Sequence, residues 1–253
     1  MTDRSPQRLP LWVKVQLVMR SFAIQASWNT RTMLGHGFGF VLKPLLWWRY
    51  EGEGDRKSAL ARHVDHFNAH PYLASIGLGA VARLEADHAD ATLIRHFKTA
   101  VRGPLGGIGD RLIWVGWLPA VALAAVFLVL IGASPLVVVV GFLAVYNAGH
   151  LALRFWGWSA GYRHGTNVAV AIRGAGLQER AEALSRTAAL LLGLLLGLSG
   201  ARGMAAGLLS WVVAGAVLFL VGNRARRRGW RPTLTATALA IGLLALAGAL
   251  GAS

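Results

Sequence analysis

Apolar residues are distributed unevenly along this chain. From residue 117 onward they form long, nearly unbroken stretches: WLPAVALAAVFLVLIGA (117–133), PLVVVVGFLAVYNAGHLAL (135–153), MAAGLLSWVVAGAVLFLVG (204–222) and TLTATALAIGLLALAGALGA (233–252). The hydrocarbon core of a bilayer takes roughly 17–25 helical residues to cross, so each stretch predicts a transmembrane helix. TAALLLGLLLGLSG (187–200) is shorter; it spans obliquely, or pairs tightly with its neighbour through residues 201–203. Before residue 117 the pattern is amphipathic. PYLASIGLGAV (71–81) and LIWVGW (112–117) are too short to cross alone and are flanked by Gly and Pro. Irregular backbone at membrane depth survives only where protein buries it or where it lines a cavity, and in transporters such segments form substrate sites. The expected fold is an all-α integral membrane protein. An amphipathic, re-entrant helical half (20–116) follows a short N-terminal segment (1–19) and precedes about five transmembrane helices (117–253).

Charge orients this arrangement. The chain carries 26 Lys and Arg against 11 Asp and Glu, a net charge of +15. A basic excess suits nucleic acid or cytoplasmic loops. Here Arg154, Arg163, Arg173, Arg180 and Arg186, then Arg224, Arg226, Arg227, Arg228 and Arg231, fall between apolar stretches, which favours the loops and argues against nucleic acid. Nine of the eleven acids precede residue 117. Counting spans from the basic loops puts the N-terminal half in the cytoplasm and the C-terminus outside. Without cysteine there is no disulfide, thiolate metal site or thiol nucleophile. The N-terminus lacks the uninterrupted apolar core of a signal peptide.

Four stretches carry candidate chemistry. In SFAIQASWN (21–29), Trp28 offers a flat apolar face while Gln25 and Asn29 offer amides, a combination that suits a sugar ring but equally an interfacial tryptophan beside a helix-end asparagine. In ARHVDHFNAHPYLA (61–74), His63, His66 and His70 would share one helix face, which raises a zinc site. Asp65 points elsewhere and Pro71 interrupts the helix, so capping, hydrogen bonding or an interface is favoured for these histidines and Asn68, with no metal. In GPLGGIGDRLIW (103–114), Gly103, Pro104, Gly106, Gly107 and Gly109 predict an unwound hinge presenting Asp110. A carboxylate at membrane depth is costly and is by default a functional candidate; capping the next helix is the other reading. No G-K-[ST] ending or preceding strand supports a phosphate loop. In VYNAGHLALRFWGWSAGYRHG (145–165), Asn147 and His150 lie inside a span and face protein. Arg154 and the aromatics through Tyr162 mark the interface, and Gly157 with Gly161 suits close helix packing.

Taken together and in this order, RSFAIQASWN (20–29), RHVDHFNAHPYLA (62–74), GPLGGIGDRLIW (103–114) and RFWGWSAGYRHG (154–165) resemble the IID subunit of mannose/fructose/sorbose-family sugar phosphotransferase systems. The resemblance implies a multi-pass protein of the bacterial inner membrane, an obligate IIC membrane partner, a trimer of IIC–IID pairs and a hexose substrate. Cytoplasmic IIA and IIB subunits would relay phosphate, leaving the D chain without a phosphohistidine, a catalytic role or a cofactor. Its sugar-facing residues would be Gln25, Trp28, Asn29, Asn68, His70 and Asp110. The chain departs from the family pattern at Arg31, where a glutamate is usual, at Arg111, where a small residue or proline is usual, and in the short link 199–203. Those departures keep open a non-transporting scaffold, and the histidines keep open, more distantly, a membrane metalloenzyme.

Overall fold

α4 (Ala74–Ala86) is apolar on every side, and in this computed structural model every one of its residues but Arg83 is buried. A largely apolar helix of this kind belongs at the centre of a structure, and the short apolar piece at 71–81 is buried in protein here. The structure describes residues 9–203 and 224. They contain helices and turns, with two isolated bridges, Asn29 to Met33 and Met33 to Phe67. The chain divides at Ala188 into two units; the elements through the first turns of α9 belong to the first.

On one side α4 packs against α2 (Gly35–Arg49), which in turn carries α1 (Leu11–Ser21) and α3 (Glu53–Val64). Pro44 sits inside α2, where it cannot donate to the carbonyl four residues earlier. That carbonyl, on Phe40, accepts instead from Arg20 Nη1 of α1 at 3.2 Å. On the other side α4 packs along α7 (Pro135–His164). Side chains are missing where the backbones approach: a Cβ at Gly157 or Gly161 would collide with Ser75, Ile76 or Ala80, and one at Gly79 with Trp158 and Tyr162. Small residues at i and i+4 permit this proximity.

α5 (Ala91–Asp110), a π-helical segment (Arg111–Trp117) and α6 (Leu118–Leu130) form one helical run. Asp90 caps its start, accepting from the amides of Thr92 and Leu93. The unwound hinge expected at 103–109 is therefore absent; Gly106 and Gly109 let the helix lie close to residues 68–70. The irregularity comes one turn later, where the Leu118 amide reaches back to the Ile113 carbonyl. A tight turn at Gly132 (φ 89°) leads to α7. The sequence predicted that this helix ends at residue 153, before a loop to 186. It continues to His164 and ends at Gly165 (φ 53°), because 154–164 contains no residue that breaks it and its glycines are needed against α4. A 3₁₀ turn (Gly165–Asn167) leads to α8 (Val168–Gly174), and α9 (Leu177–Gly203) absorbs both 187–200 and the expected link at 201–203. In the second unit, α9 is the element described.

Two helical runs, 91–130 and 135–198, are long and apolar enough to cross a membrane, with peak mean hydropathies of 2.4 and 2.0. The spans expected at 204–222 and 233–252 lie outside the described residues.

The N-terminal helices are joined by a buried ionic clasp. Glu85 Oε1 accepts from Arg62 Nε (2.8 Å) and His63 Nε2 (2.7 Å), while Oε2 accepts from Arg62 Nη2 and the Tyr50 hydroxyl, both at 2.8 Å. Lys98 Nζ closes the C-terminus of α3 by donating to the carbonyls of Arg62 (2.7 Å) and His63 (3.3 Å). Burial dominates the His63 imidazole and lowers its pKa to about 4, against the pull of Glu85. Glu85 is lowered despite its burial, because His63 and Arg62 hydrogen-bond it. The pair is thus neutral imidazole and carboxylate, with Arg62 as counter-ion.

Two outcomes test this packing. Gly161→Leu should cost about 1–3 kcal/mol or more through overpacking and lower the melting temperature in detergent, while Gly174→Leu, with nothing within 4 Å of its Cβ, should not. Between pH 6.5 and 4 the unfolded chain binds a proton at His63 that the folded chain refuses, so stability should fall as pH drops through that window. In His63→Gln, melting curves across it should show a shallower fall.

Candidate functional site

The segment Phe67–His70, within the second candidate stretch, meets both the turn at 32–34 that follows the first stretch and α5, which carries most of the third. Met33, itself at φ 53°, bridges to Phe67. The Leu34 amide donates to the Phe67 carbonyl at 3.0 Å, and the Phe67 amide donates to Thr32 at 3.1 Å. The Phe67 side chain is buried against Phe38, with ring centroids 4.5 Å apart. Immediately beyond, residues 68–70 lie on α5: Gly106 faces the Asn68 carbonyl and Gly109 faces the His70 side chain.

Asn29 is held inside its own turn. Its Oδ1 accepts from the amides of Arg31 (3.0 Å) and Thr32 (2.9 Å), and its Nδ2 donates to the Ser27 carbonyl (3.2 Å) and Thr32 Oγ1 (2.9 Å), with His36 Nδ1 at 3.3 Å. Its polar capacity goes into the fold of 27–36. Gln25 and Trp28 lie on the preceding turn with their side chains exposed, Trp28 by about half. Asn68 is exposed as well.

His70 is buried. Burial first, then the nearby cation of Arg154, holds its pKa down at about 4, so the ring is neutral. Nδ1 accepts from the Tyr72 amide (3.2 Å), which puts the proton on Nε2, and Nε2 has no partner among the described residues. The ring leans on Trp114 at 5.4 Å between centroids. Trp114 is half exposed and lies four residues after Asp110, so the carboxylate comes about one turn before the indole that packs on His70. Asp110 is exposed, does not cap the π-helical segment, and has no hydrogen bond or ion pair among the described residues. Sequence reading missed Trp114 within the very motif that contains Asp110; the indication available was its four-residue spacing from the acid.

The three histidines do not share a helix face, because α3 ends at Val64. His63 bonds Glu85, His66 receives Arg102 at 3.0 Å, and His70 packs on α5. No cluster of metal-ligating side chains occurs among the described residues.

The fourth stretch joins from α7. Tyr72 stacks on His150 at 3.9 Å and its hydroxyl lies 3.0 Å from that of Tyr146. Arg154 is buried; its Nε donates to His150 Nε2 (3.2 Å), its Nη1 to the Ser21 carbonyl, and its guanidinium lies over Phe22 and Tyr72. Arg154 thus ties α1, the 70–73 turn and α7 together, which corrects its expected place as an interfacial anchor in a loop. Asn147 is exposed, its Nδ2 bonded to the Leu143 carbonyl at 2.8 Å. Tyr162 is half-buried where α4 meets α7.

Two runs long and apolar enough to cross a membrane, in described residues that form helices and turns, define the class of helical membrane proteins, and comparison with known proteins narrows that class. The model of the PTS system mannose/fructose/sorbose family IID component matches residues 13–199, and the chain belongs to that family. It is 32% identical over 175 residues to the PTS mannose-specific EIID component of Escherichia coli K12, covering 66% of this chain and 60% of that one. Against the sorbose-specific EIID component of Klebsiella pneumoniae it is 31% identical, covering 72% and 67%. The chain thus spans about 60% of the length of the Escherichia coli relative. Among solved structures, one described as a membrane protein aligns with a TM-score of 0.66 at 29% identity, covering 75% of this chain and 71% of the other. The cryo-electron microscopy structure of the mannose transporter ManYZ with microcin E492 aligns with a TM-score of 0.58 over 96% and 97% of the chains; at 23% identity it shows a shared fold. Membership makes the chain a IID-type component of that family.

Replacing Asn29 should unfasten the turn it closes. Asn29→Ala should cost about 1–3 kcal/mol, from several lost bonds of about 1 kcal/mol each. Asn29→Asp, which keeps the oxygen that accepts from the two backbone amides, should cost less; melting of the two variants in detergent decides.

Proposed function

We propose that this chain pairs with a IIC subunit in the bacterial inner membrane to form the hexose-translocating unit of a mannose-type phosphotransferase system. The assembly is a trimer of IIC–IID pairs, and a IIB subunit, charged by IIA, phosphorylates the sugar as it emerges. The N-terminus is cytoplasmic and the C-terminus extracytoplasmic, as the arginine-rich segments favour.

The observation that carries this reading, beyond family membership, is Asp110. It stands on a helical run apolar enough to span, exposed and unpaired among the described residues. A carboxylate there is stable only against a partner, a water-filled cavity or a ligand. Gly107 and Gly103, one and two turns earlier on the same face, have nothing within 4 Å of their Cβ positions, so that face is open to another helix. Sugar hydroxyls donating to Asp110, with Trp114 and Trp28 as apolar surfaces, would make the charge-assisted contacts that select a hexose. His70 contributes the donor its Nε2 holds unspent, while Gln25 and Asn68 offer exposed amides. Asn29 supports this surface by shaping its turn.

The test is equilibrium binding of a labelled hexose panel to the chain co-purified with its IIC partner, beside Asp110→Asn. Binding of one sugar, weakened about tenfold or more in the variant through loss of a charged acceptor worth about 1.5–3 kcal/mol, supports the site. Unchanged affinity removes Asp110 from it. No binding to a stable wild-type complex leaves the non-transporting scaffold, in which Arg31 replaces a needed acid.

A further inference from the structure

The side of α1 away from the core is apolar where a soluble protein would be polar. Leu11, Val15, Met19 and Phe22 form an exposed row, with Trp12 at its edge; by helix periodicity they fall within about 100° of arc. Next to Trp12 around the helix come Gln16 and Arg20, and these face Lys43, Trp47 and Trp48 of α2 across a groove of about 420 Å³. No carboxylate lines it. Two cations border it, and both are preorganised. Arg20 is fixed by its bond to the Phe40 carbonyl that Pro44 leaves free, and lies 4.8 Å over the Phe40 ring. Lys43 Nζ lies 4.9 Å over the Trp47 ring, which Arg56 also approaches at 5.9 Å. Neither Arg20 nor Lys43 has an anionic partner among the described residues.

We propose that the α1–α2 groove binds the phosphate of an anionic phospholipid, with the acyl chains running along the exposed row of α1. The elements of the site match the parts of such a molecule. Paired cations suit the phosphodiester, tryptophans suit the headgroup level where one side of the ring is wet, and an apolar row beside them suits the hydrocarbon. A zwitterionic lipid would set its own ammonium against Arg20 and Lys43. A partner helix would satisfy the apolar row but leave both cations beside an apolar face. The inference is independent of sugar transport, so it can fail without the proposed function failing.

The test places the full chain in nanodiscs of fixed composition and adds lipids brominated in the acyl chains. These quench nearby tryptophans, and the groove's share of the signal is the difference between wild type and Trp47→Phe. Brominated phosphatidylglycerol should quench that share with about tenfold or greater preference over brominated phosphatidylcholine, since each basic side chain near the surface favours anionic lipid severalfold. Lys43→Gln, whose side chain takes no part in the core, should lose most of the preference. Arg20→Gln/Lys43→Gln should lose all of it. Equal quenching by the two lipids, or a preference retained in the double variant, overturns the proposal. Absence of quenching by either lipid in folded protein also overturns it.

Discussion

The carboxylate of Glu85 holds the N-terminal half of this protein together. It is buried near the C-terminal end of a largely apolar helix, and it accepts four hydrogen bonds from the end of α2 and the last turn of α3. An unpaired charge at that depth would cost several kcal/mol, so the three elements must close on it together or not at all. Breaking such a pair by removing one partner is far more damaging than never having built it. The clasp therefore acts less as a source of net stability than as a specification: it leaves α3 one place to end, at Val64, and that ending delivers the Phe67–His70 segment to α5.

From that point the candidate surface follows by contact. The 29–34 turn is stitched to Phe67 by backbone hydrogen bonds, and Asn68 to His70 rest on the glycines of α5. The π-helical segment then resets the phase of the helix just after Asp110. π-bulges inside α-helices are found disproportionately at functional sites, and here the departure begins at the carboxylate the site reading depends on. A helix that stays wound keeps Asp110 at a defined height and angle, which a loose glycine hinge would not.

The sequence revealed part of this and hid part of it, for physical reasons. Long apolar runs announce spans by length alone, and Gly157 with Gly161 announce close packing by spacing alone; both depend only on local periodicity. The glycines of 103–109 misled because residues that permit an unwound backbone also permit close approach of an intact helix, and which applies depends on what lies opposite. Here His70 does. His63 misled in a similar way: its carboxylate partner lies 22 residues away on α4, and no local pattern reaches that far. Arg154 reads from the sequence as a membrane-interface anchor, yet it reaches 133 residues back to Ser21. The motifs together were more legible than any of their residues, because a family resemblance integrates long-range contacts that a single periodicity cannot.

Pro44 and Arg20 illustrate how a defect in one element becomes a constraint on another. The proline withdraws a donor from the Phe40 carbonyl, and the arginine of a neighbouring helix supplies one. Neither residue is accounted for by its own helix: a proline interrupts α2, and an arginine on α1 would otherwise turn to water. In evolutionary terms the two positions form a compensating pair. Loss of the proline gives the carbonyl a competing donor and releases the guanidinium, and loss of the arginine leaves the proline's gap unfilled. Substitution at one position relaxes selection on the other, so among relatives that retain this crossing of α1 and α2, residues 20 and 44 should covary despite lying 24 positions apart in sequence.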